Sequence, residues 1–280
     1  MVDCQSTLHY RGQESTMTAR VADKTAVVIG GASGIGWASA ELLAKEGATV
    51  VIADIDADKA GDRAHELGGR TRSRRVDVSD EESVRALFED TANEVGSVDI
   101  TLNCAGVNLP GLITDLDAGS WQRTIDLCLT GAFFVIKHSA RTMATGAAIT
   151  SIASLNARQP AAGFAGYCAA KAGLTMLTQV AALELGARGI RVNAISPGLV
   201  ETPLVQGLTS HPAIQTEFTD NTPLGRNGLP ADIAEAVLYL SSDSASWVTG
   251  EILDINGGAH LRRYPDLMRH LADASDQSSH

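Results

Sequence analysis

A phenol and an ammonium stand four residues apart in Tyr167-Cys-Ala-Ala-Lys171, a spacing that places both side chains on one face of a helix. An unperturbed tyrosine titrates near pH ~10, so it moves protons usefully only if a nearby positive charge stabilises its phenolate. Lys171 supplies that charge, and the pair then reads as a general acid/base. Tyrosine and lysine at this spacing also arise by chance on amphipathic helices, so the pair alone reads first as a packing feature.

An independent signal lies upstream. The apolar run Thr25-Ala-Val-Val-Ile29 reads as a buried strand, followed by Gly30-Gly-Ala-Ser-Gly34-Ile-Gly36 and a helical segment from Trp37 to Glu46 that stops at Gly47. Glycines let a chain turn sharply and approach a pyrophosphate, whose charge the free N–H groups of a helix start receive. The spacing is not the G-x-G-x-x-G form, and a glycine turn by itself is often only a tight loop. Its context is more telling: a second apolar run, Ala48 to Ala53, ends at Asp54, roughly 20 residues after the loop, where an acid binds ribose hydroxyls. A turn or helix cap is the alternative for Asp54.

Strand and helix signals then alternate. Asp56 to Leu67 reads as a surface helix closed by Gly68-Gly69, Thr71 to Val78 as a strand, and Ser79 as the cap of a helix from Asp80 to Val95. Val98 to Leu102 is a strand and Ser120 to Met143 a helix. A strand at Ala147 to Ile152, the Tyr167 helix to about Ala187, a strand at Ile190 to Ile195, a helix at Ala231 to Leu240 and a last strand at Ile252 to Ile255 complete the order. Such alternation predicts an α/β fold, one Rossmann-type doubly wound parallel sheet of about seven strands with helices on both faces. The stretch from about 199 to 229, with Pro203, Pro212, Pro223 and three glycines among scattered apolar residues, reads as a mobile cover over a site or as a variable surface excursion.

Taken together, Gly30-x-x-x-Gly34-x-Gly36, Asn103-Cys-Ala-Gly106, Ser154, Tyr167-x-x-x-Lys171 and Pro197-Gly198 resemble, in order and spacing, the motifs of the short-chain dehydrogenase/reductase family, over about residues 22 to 260. The resemblance implies a nicotinamide dinucleotide held by Gly30, Ser33, Gly34, Ile35 and Gly36, by Asp54, and by Asp77 and Val78 at the adenine. Asn103, Ala105 and Gly106 would follow, with Pro197, Gly198, Val200 and Thr202 at the carboxamide end. It implies that Tyr167 exchanges the proton of an alcohol or ketone and that Ser154 stabilises the charge on the substrate oxygen. Lys171 would bind the nicotinamide ribose and hold the tyrosine pKa down. Read alone, Ser154 is an ordinary capping serine with Ser151 as competitor, and Asp77 is equally a turn residue. The family carries asparagine where this chain has Cys128, so the fourth member of the usual catalytic set is replaced by a thiol, a poor hydrogen-bond partner.

Composition bounds the function. The 280 residues are 44% hydrophobic and carry a net charge of −11, enough for a sizeable core and unfavourable for a nucleic-acid backbone or an anionic membrane as partner. No apolar run spans a bilayer and residues 1 to 20 are polar, so the cytoplasm is expected. Cys4, Cys104, Cys128 and Cys168 lack metal-ligand spacing and read as free thiols. Residues 1–21 are expected to be a poorly ordered extension, with Met17 an alternative start. In the tail, 261–280, Leu267, Met268 and Leu271 would form a short amphipathic helix against the cover or a neighbouring subunit. Asp54 repels a 2′-phosphate, and no Arg or Lys occupies the glycine loop or the two positions after it, so NAD rather than NADP is the expected cofactor. The expected function is NAD-dependent interconversion of a secondary alcohol and a ketone by a homotetramer. The alternative is a redox sensor or scaffold that binds the dinucleotide without turnover.

Overall fold

The computed structural model describes residues 19–268. Seven strands, β1 (Thr25–Ile29), β2 (Thr49–Asp54), β3 (Arg72–Arg75), β4 (Val98–Asn103), β5 (Met143–Ile152), β6 (Arg191–Pro197) and β7 (Ile252–Ile255), form one parallel sheet in the order β3-β2-β1-β4-β5-β6-β7. The order reverses between β1 and β4, and there the carboxyl ends of the strands open a crevice.

Because side chains alternate across a strand, β1 sends Ala26 and Val28 to one face and Val27 and Ile29 to the other. The first pair meets α1 (Gly34–Lys45) through Ala40 and Leu43, and α9 (Pro230–Ser241) through Ile233 and Val237. The second meets α3 (Glu81–Val95) through Val84 and Phe88, α5 (Gly131–Thr142) through Val135, and α6 (Ala165–Leu185) through Ala181 and Ala182. Strands covered on both faces are apolar throughout, which is why β1 and β2 read as continuous hydrophobic runs. Each large side chain buried here, such as Ile52 or Phe88, contributes about 1.5–3 kcal/mol.

Local signals decide the remaining boundaries. Asp56 caps α2 (Ala57–Leu67) by accepting from the Lys59 amide. For α3 the cap is Asp80, which accepts from the Glu82 amide, and not Ser79, whose amide and hydroxyl both turn back to Asp77. The long helix expected from Ser120 to Met143 runs as α4 (Ala118–Ile125), a π-helical turn at Asp126–Thr130, and α5. Strand β3 stops at Arg75, short of Val78, and β5 begins at Met143, earlier than the apolar run announces.

The cover differs most from its sequence reading. It holds a four-residue helix, α7 (Gln206–Thr209), and then α8 (Pro212–Asp220), which buries Ile214 and Phe218 against Phe164 and Leu267. This segment therefore has an apolar anchor of its own. Arg20 already pairs with Glu46 and Glu235, and Val21 is buried. Residues 1–18 with Met17, and 269–280 with Leu271, lie outside the described residues.

Candidate active site

Glycine geometry builds the first half of the crevice. Gly30 leaves β1 at φ +70°, close to the backbone of Cys104 and Ala105, and Gly34 opens α1 at φ +53°. At Gly36 a Cβ would stand 2.1 Å from the Gly30 carbonyl oxygen, so only glycine lets α1 lie this close to the end of β1. Ser33 is the N-cap of α1 but makes no capping hydrogen bond, and no acid occupies the first turn. The amides there are left to an outside anion.

Asp54 ends β2 with Oδ2 accepting from the Ala32 amide at 3.1 Å and Oδ1 from the Asp56 amide at 3.2 Å. It is thus tied to the glycine turn and also serves as a turn residue, with carboxylate lone pairs still available. Asp77 accepts from the Ser79 hydroxyl at 2.6 Å and amide at 3.0 Å, and the hydroxyl above all holds its carboxyl below the usual range.

These residues line a cleft of about 880 Å³ together with Val78, Ala105, Gly106, Pro197, Gly198, Val200 and Thr202. Of the residues expected at a cofactor, Asn103 alone is outside the lining. It is buried, and its Oδ1 accepts from the Ala105 amide at 3.1 Å, shaping the loop instead. Gln122, Arg123 and Asp126 from the long helix also line the cleft. They carry no glycine or motif signature, so only the fold reveals them.

Ser154 and Tyr167 lie where this cleft meets a second cavity. Ser154 follows β5, caps a short 3-10 turn by accepting from the Asn156 amide at 3.1 Å, and lies close enough to Tyr167 to favour its ionised form. Ser151 is fully buried in β5, away from both linings. Lys171 is 3% exposed, and its Nζ donates to the Ile152 carbonyl at 2.7 Å while standing 5.6 Å from the Tyr167 ring centre. Among the described residues it forms no ion pair, and burial lowers its pKa. A buried ammonium without a carboxylate is costly to hold for structure alone.

One electrostatic expectation is corrected. The Tyr167 hydroxyl is pushed up to about 12 by burial, against the opposing effect of nearby Ser154. Lys171 Nζ donates to the Ile152 carbonyl, and Lys171 is not among the groups that shift the tyrosine, so the depression expected from the helical spacing does not show.

Cys128 sits in the π-helical turn, 1% exposed. Its Sγ accepts from the Val107 amide at 3.3 Å and donates to the Val107 carbonyl at 3.2 Å. The thiol therefore ties the helix to the loop after β4, beside Gly106, whose Cβ would lie 3.4 Å from Sγ and 3.6 Å from Lys171 Nζ. Cys104 and Cys168 are free as well, and burial pushes the Cys104 thiol up to about 12.

The second cavity, about 330 Å³, extends from Ser154 and Tyr167 between the cover and the C-terminal segment. Phe164, Leu199, Phe218, Leu267 and Met268 wall it, and Asn108, Gln159, Arg263 and Tyr264 give it polar points. The amide oxygens of Asn108 and Gln159 are buried without a hydrogen-bond partner. None of these four was legible in the sequence, because they meet only through long-range packing. Among the described residues no cluster of metal-ligating side chains occurs, and no helix is long and apolar enough to cross a membrane.

Comparison with known proteins bears on this arrangement directly. Residues 30–260 match a family model described as enoyl-(acyl carrier protein) reductase. The chain is 42% identical to cis-4-hydroxycyclohexanecarboxylate dehydrogenase of Sinomonas cyclohexanicum over 85% of its length and 96% of the relative. It is 39% identical to 3beta-hydroxysteroid dehydrogenase 1 of Eggerthella lenta over 86% and 95%. A solved short-chain type dehydrogenase/reductase from Mycobacterium ulcerans superposes with a TM-score of 0.87 at 35% identity, covering 90% of this chain and 95% of that one. With a glycine cradle at the sheet crossover, a serine, tyrosine and lysine at its inner end, and relatives that match along nearly their whole length, the chain belongs to the short-chain dehydrogenase/reductase family of oxidoreductases, which use nicotinamide dinucleotides.

Proposed function

We propose that the protein is an NAD(H)-dependent dehydrogenase that interconverts a secondary alcohol and a ketone, with Tyr167 as the general acid/base. The observation that carries this reading is the buried Lys171, without an ion-pair partner among the described residues, near Tyr167 and Ser154, which both line the two cavities where they meet. The residues of the crevice fit the dinucleotide: the Gly30–Gly36 cradle and the first turn of α1 would take its pyrophosphate, Asp54 its adenosine ribose, and Asp77 with Val78 its adenine. Asn103 shapes the loop on which Ala105 and Gly106 lie, and Pro197, Gly198, Val200 and Thr202 line the inner end. When bound, the dinucleotide would take a hydride from the carbinol carbon, or return one to the carbonyl carbon.

The chain's own part is proton handling. In oxidation Tyr167 Oη takes the alcohol proton and passes it to solvent; in reduction it gives a proton to the ketone oxygen. Ser154 Oγ donates to the same substrate oxygen and stabilises its charge. Lys171 would act on the phenol by its charge when the dinucleotide is bound, favouring the phenolate. Asp54, with Ile55 and Asp56 after it, disfavours a 2′-phosphate and so selects NAD. Exposed Phe133, Met176, Val180 and Leu183 on α5 and α6 supply apolar surface for a homotetramer, and the cytoplasm is the proposed location. A non-catalytic redox sensor rested on Cys128 alone, and that thiol is buried and hydrogen bonded on both sides.

The test follows reduced-nicotinamide absorbance over a panel of secondary alcohols and ketones. Tyr167→Phe is expected to lower turnover at least about a hundredfold, the lower end of the range for a lost general acid/base, with NAD binding close to normal. Normal turnover by this variant would refute the assignment.

A further inference from the structure

We propose that the 330 Å³ cavity selects a compact alcohol or ketone carrying a carboxylate, and that Arg263 is the residue that recognises it. The proposal rests on the dehydrogenase reading above and adds the chemical class of the substrate. Charge is the first argument. The chain carries a net charge of −11, yet among the described residues Arg263 is the only charged side chain lining this cavity. A cationic substrate has no partner there, whereas an anionic one has a guanidinium.

Arg263 is also held in place. Its Nη2 lies 2.6 Å from Glu217 Oε1, which comes from α8 of the cover and also accepts from the Asp266 amide. One residue before it, the Arg262 carbonyl accepts from Gln159 Nε2. One residue after it, Tyr264 packs edge-on against Phe218 at 5.8 Å. The segment is therefore pinned to α8 and to the turn after Ser154. A guanidinium carries five N–H donors, and the Glu217 contact uses one nitrogen, so a further edge is open to a carboxylate in bidentate fashion.

Shape supplies the third argument. The cavity that Arg263, Ser154 and Tyr167 all line has a largely apolar wall, from Phe164, Leu199, Phe218, Leu267 and Met268, with Asn108 and Gln159 as polar points. Such a space suits a hydrocarbon ring with the reacting carbon at one end and the anion at the other. The Sinomonas relative acts on a ring of this type, a hydroxycyclohexanecarboxylate.

The probes are 4-oxocyclohexanecarboxylate and its neutral carboxamide, reduced with NADH. The carboxylate is expected to be preferred in kcat/KM by at least about tenfold, with the preference shrinking as salt rises from about 0.02 to 0.5 M, because Arg263 is 65% exposed and screened. Arg263→Gln should bring the ratio near one, through KM rather than kcat, and Arg263→Lys should restore part of it. Calorimetric binding of cyclohexanecarboxylate, which has no carbinol to oxidise, reads the same site without turnover. Arg263→Gln should weaken it about tenfold and Tyr167→Phe should not. Turnover of both probes without preference, or a preference untouched in Arg263→Gln, overturns the carboxylate assignment and leaves the dehydrogenase reading intact. Arg263-dependent binding without turnover of any probe sustains the carboxylate site and overturns the dehydrogenase reading instead.

Discussion

Gly36→Ala tests the cradle most directly. The added methyl would stand 2.1 Å from the Gly30 carbonyl oxygen and 2.8 Å from its carbonyl carbon. Both are backbone atoms at the end of β1, so no rotamer relieves the contact and α1 must retreat by roughly an ångström. Overpacking of this kind costs about 2–3 kcal/mol. In a domain of this size each kcal/mol moves Tm by about 2–4 °C, so calorimetry should show a fall of about 5–10 °C. The same retreat carries the first-turn amides away from the pyrophosphate, and titration should show NAD affinity reduced at least about tenfold. Gly61→Ala is the control. Gly61 lies inside α2 with no heavy atom within 4 Å of the new Cβ, so the helix gains about 0.5–1 kcal/mol and Tm rises by a few degrees. If Gly36→Ala melted within about a degree of the unmodified protein and bound NAD equally, the steric account of this turn would be wrong.

Asp54→Ala should shrink a preference for NAD over NADP that is at least about tenfold in the unmodified protein, since the repelling carboxylate is gone while Arg75 remains in register with it on β3; equal initial affinities would refute the role. Cys128→Asn should retain activity, equal or modestly higher, because an amide offers Val107 both the acceptor and the donor that the thiol now supplies. Cys128→Leu strands both groups and should lower Tm by several degrees, at about 1–3 kcal/mol per unsatisfied group. Asp232 accepts from Arg226 and the Leu229 amide, and the Arg226 hydrogen bond above all lowers its pKa to about 2. A carboxyl depressed on folding stabilises fully above its unfolded pKa, and that stability is lost as pH falls from about 4 through 2. Discounted for partial exposure, Asp232→Asn should cost about 1 kcal/mol at pH 7 and nothing below pH 2, which denaturant titration at the two pH values checks.

Legibility followed the range of the interaction. Strands β1 and β7 have the bounds their apolar runs announce, and the glycine turn, Asp54 and the Tyr167–Lys171 pair stand where local chemistry puts them. What required the fold was non-local. Met143 joins β5 through pairing with Val98 across an irregular register, which no alternation in Ala144–Gly146 signals. The cover read as a loop because Pro212 and the surrounding glycines suggest breaks, yet Pro212 is the first residue of α8, a position that tolerates proline. Spacing on a helix told which groups stand beside Tyr167 but not how much water surrounds it, and burial decided its pKa.

The two cavities share Ser154, Tyr167, Pro197, Gly198, Leu204 and Val205. Apart from this seam, the larger cleft is walled mostly by the segments that follow the first five strands, with Val200, Thr202 and Pro203 after β6, whereas the smaller cavity alone draws on α8 and the chain after β7. Changes in the two sets are therefore nearly independent in their effect. Exchanging the segments around Phe218 and Arg263–Met268 for those of another member should redirect the molecule to a new alcohol while its coenzyme preference stays as it was. The smaller cavity can therefore be reshaped from α8 and the chain after β7 while Ser154 and Tyr167 at the seam stay in place.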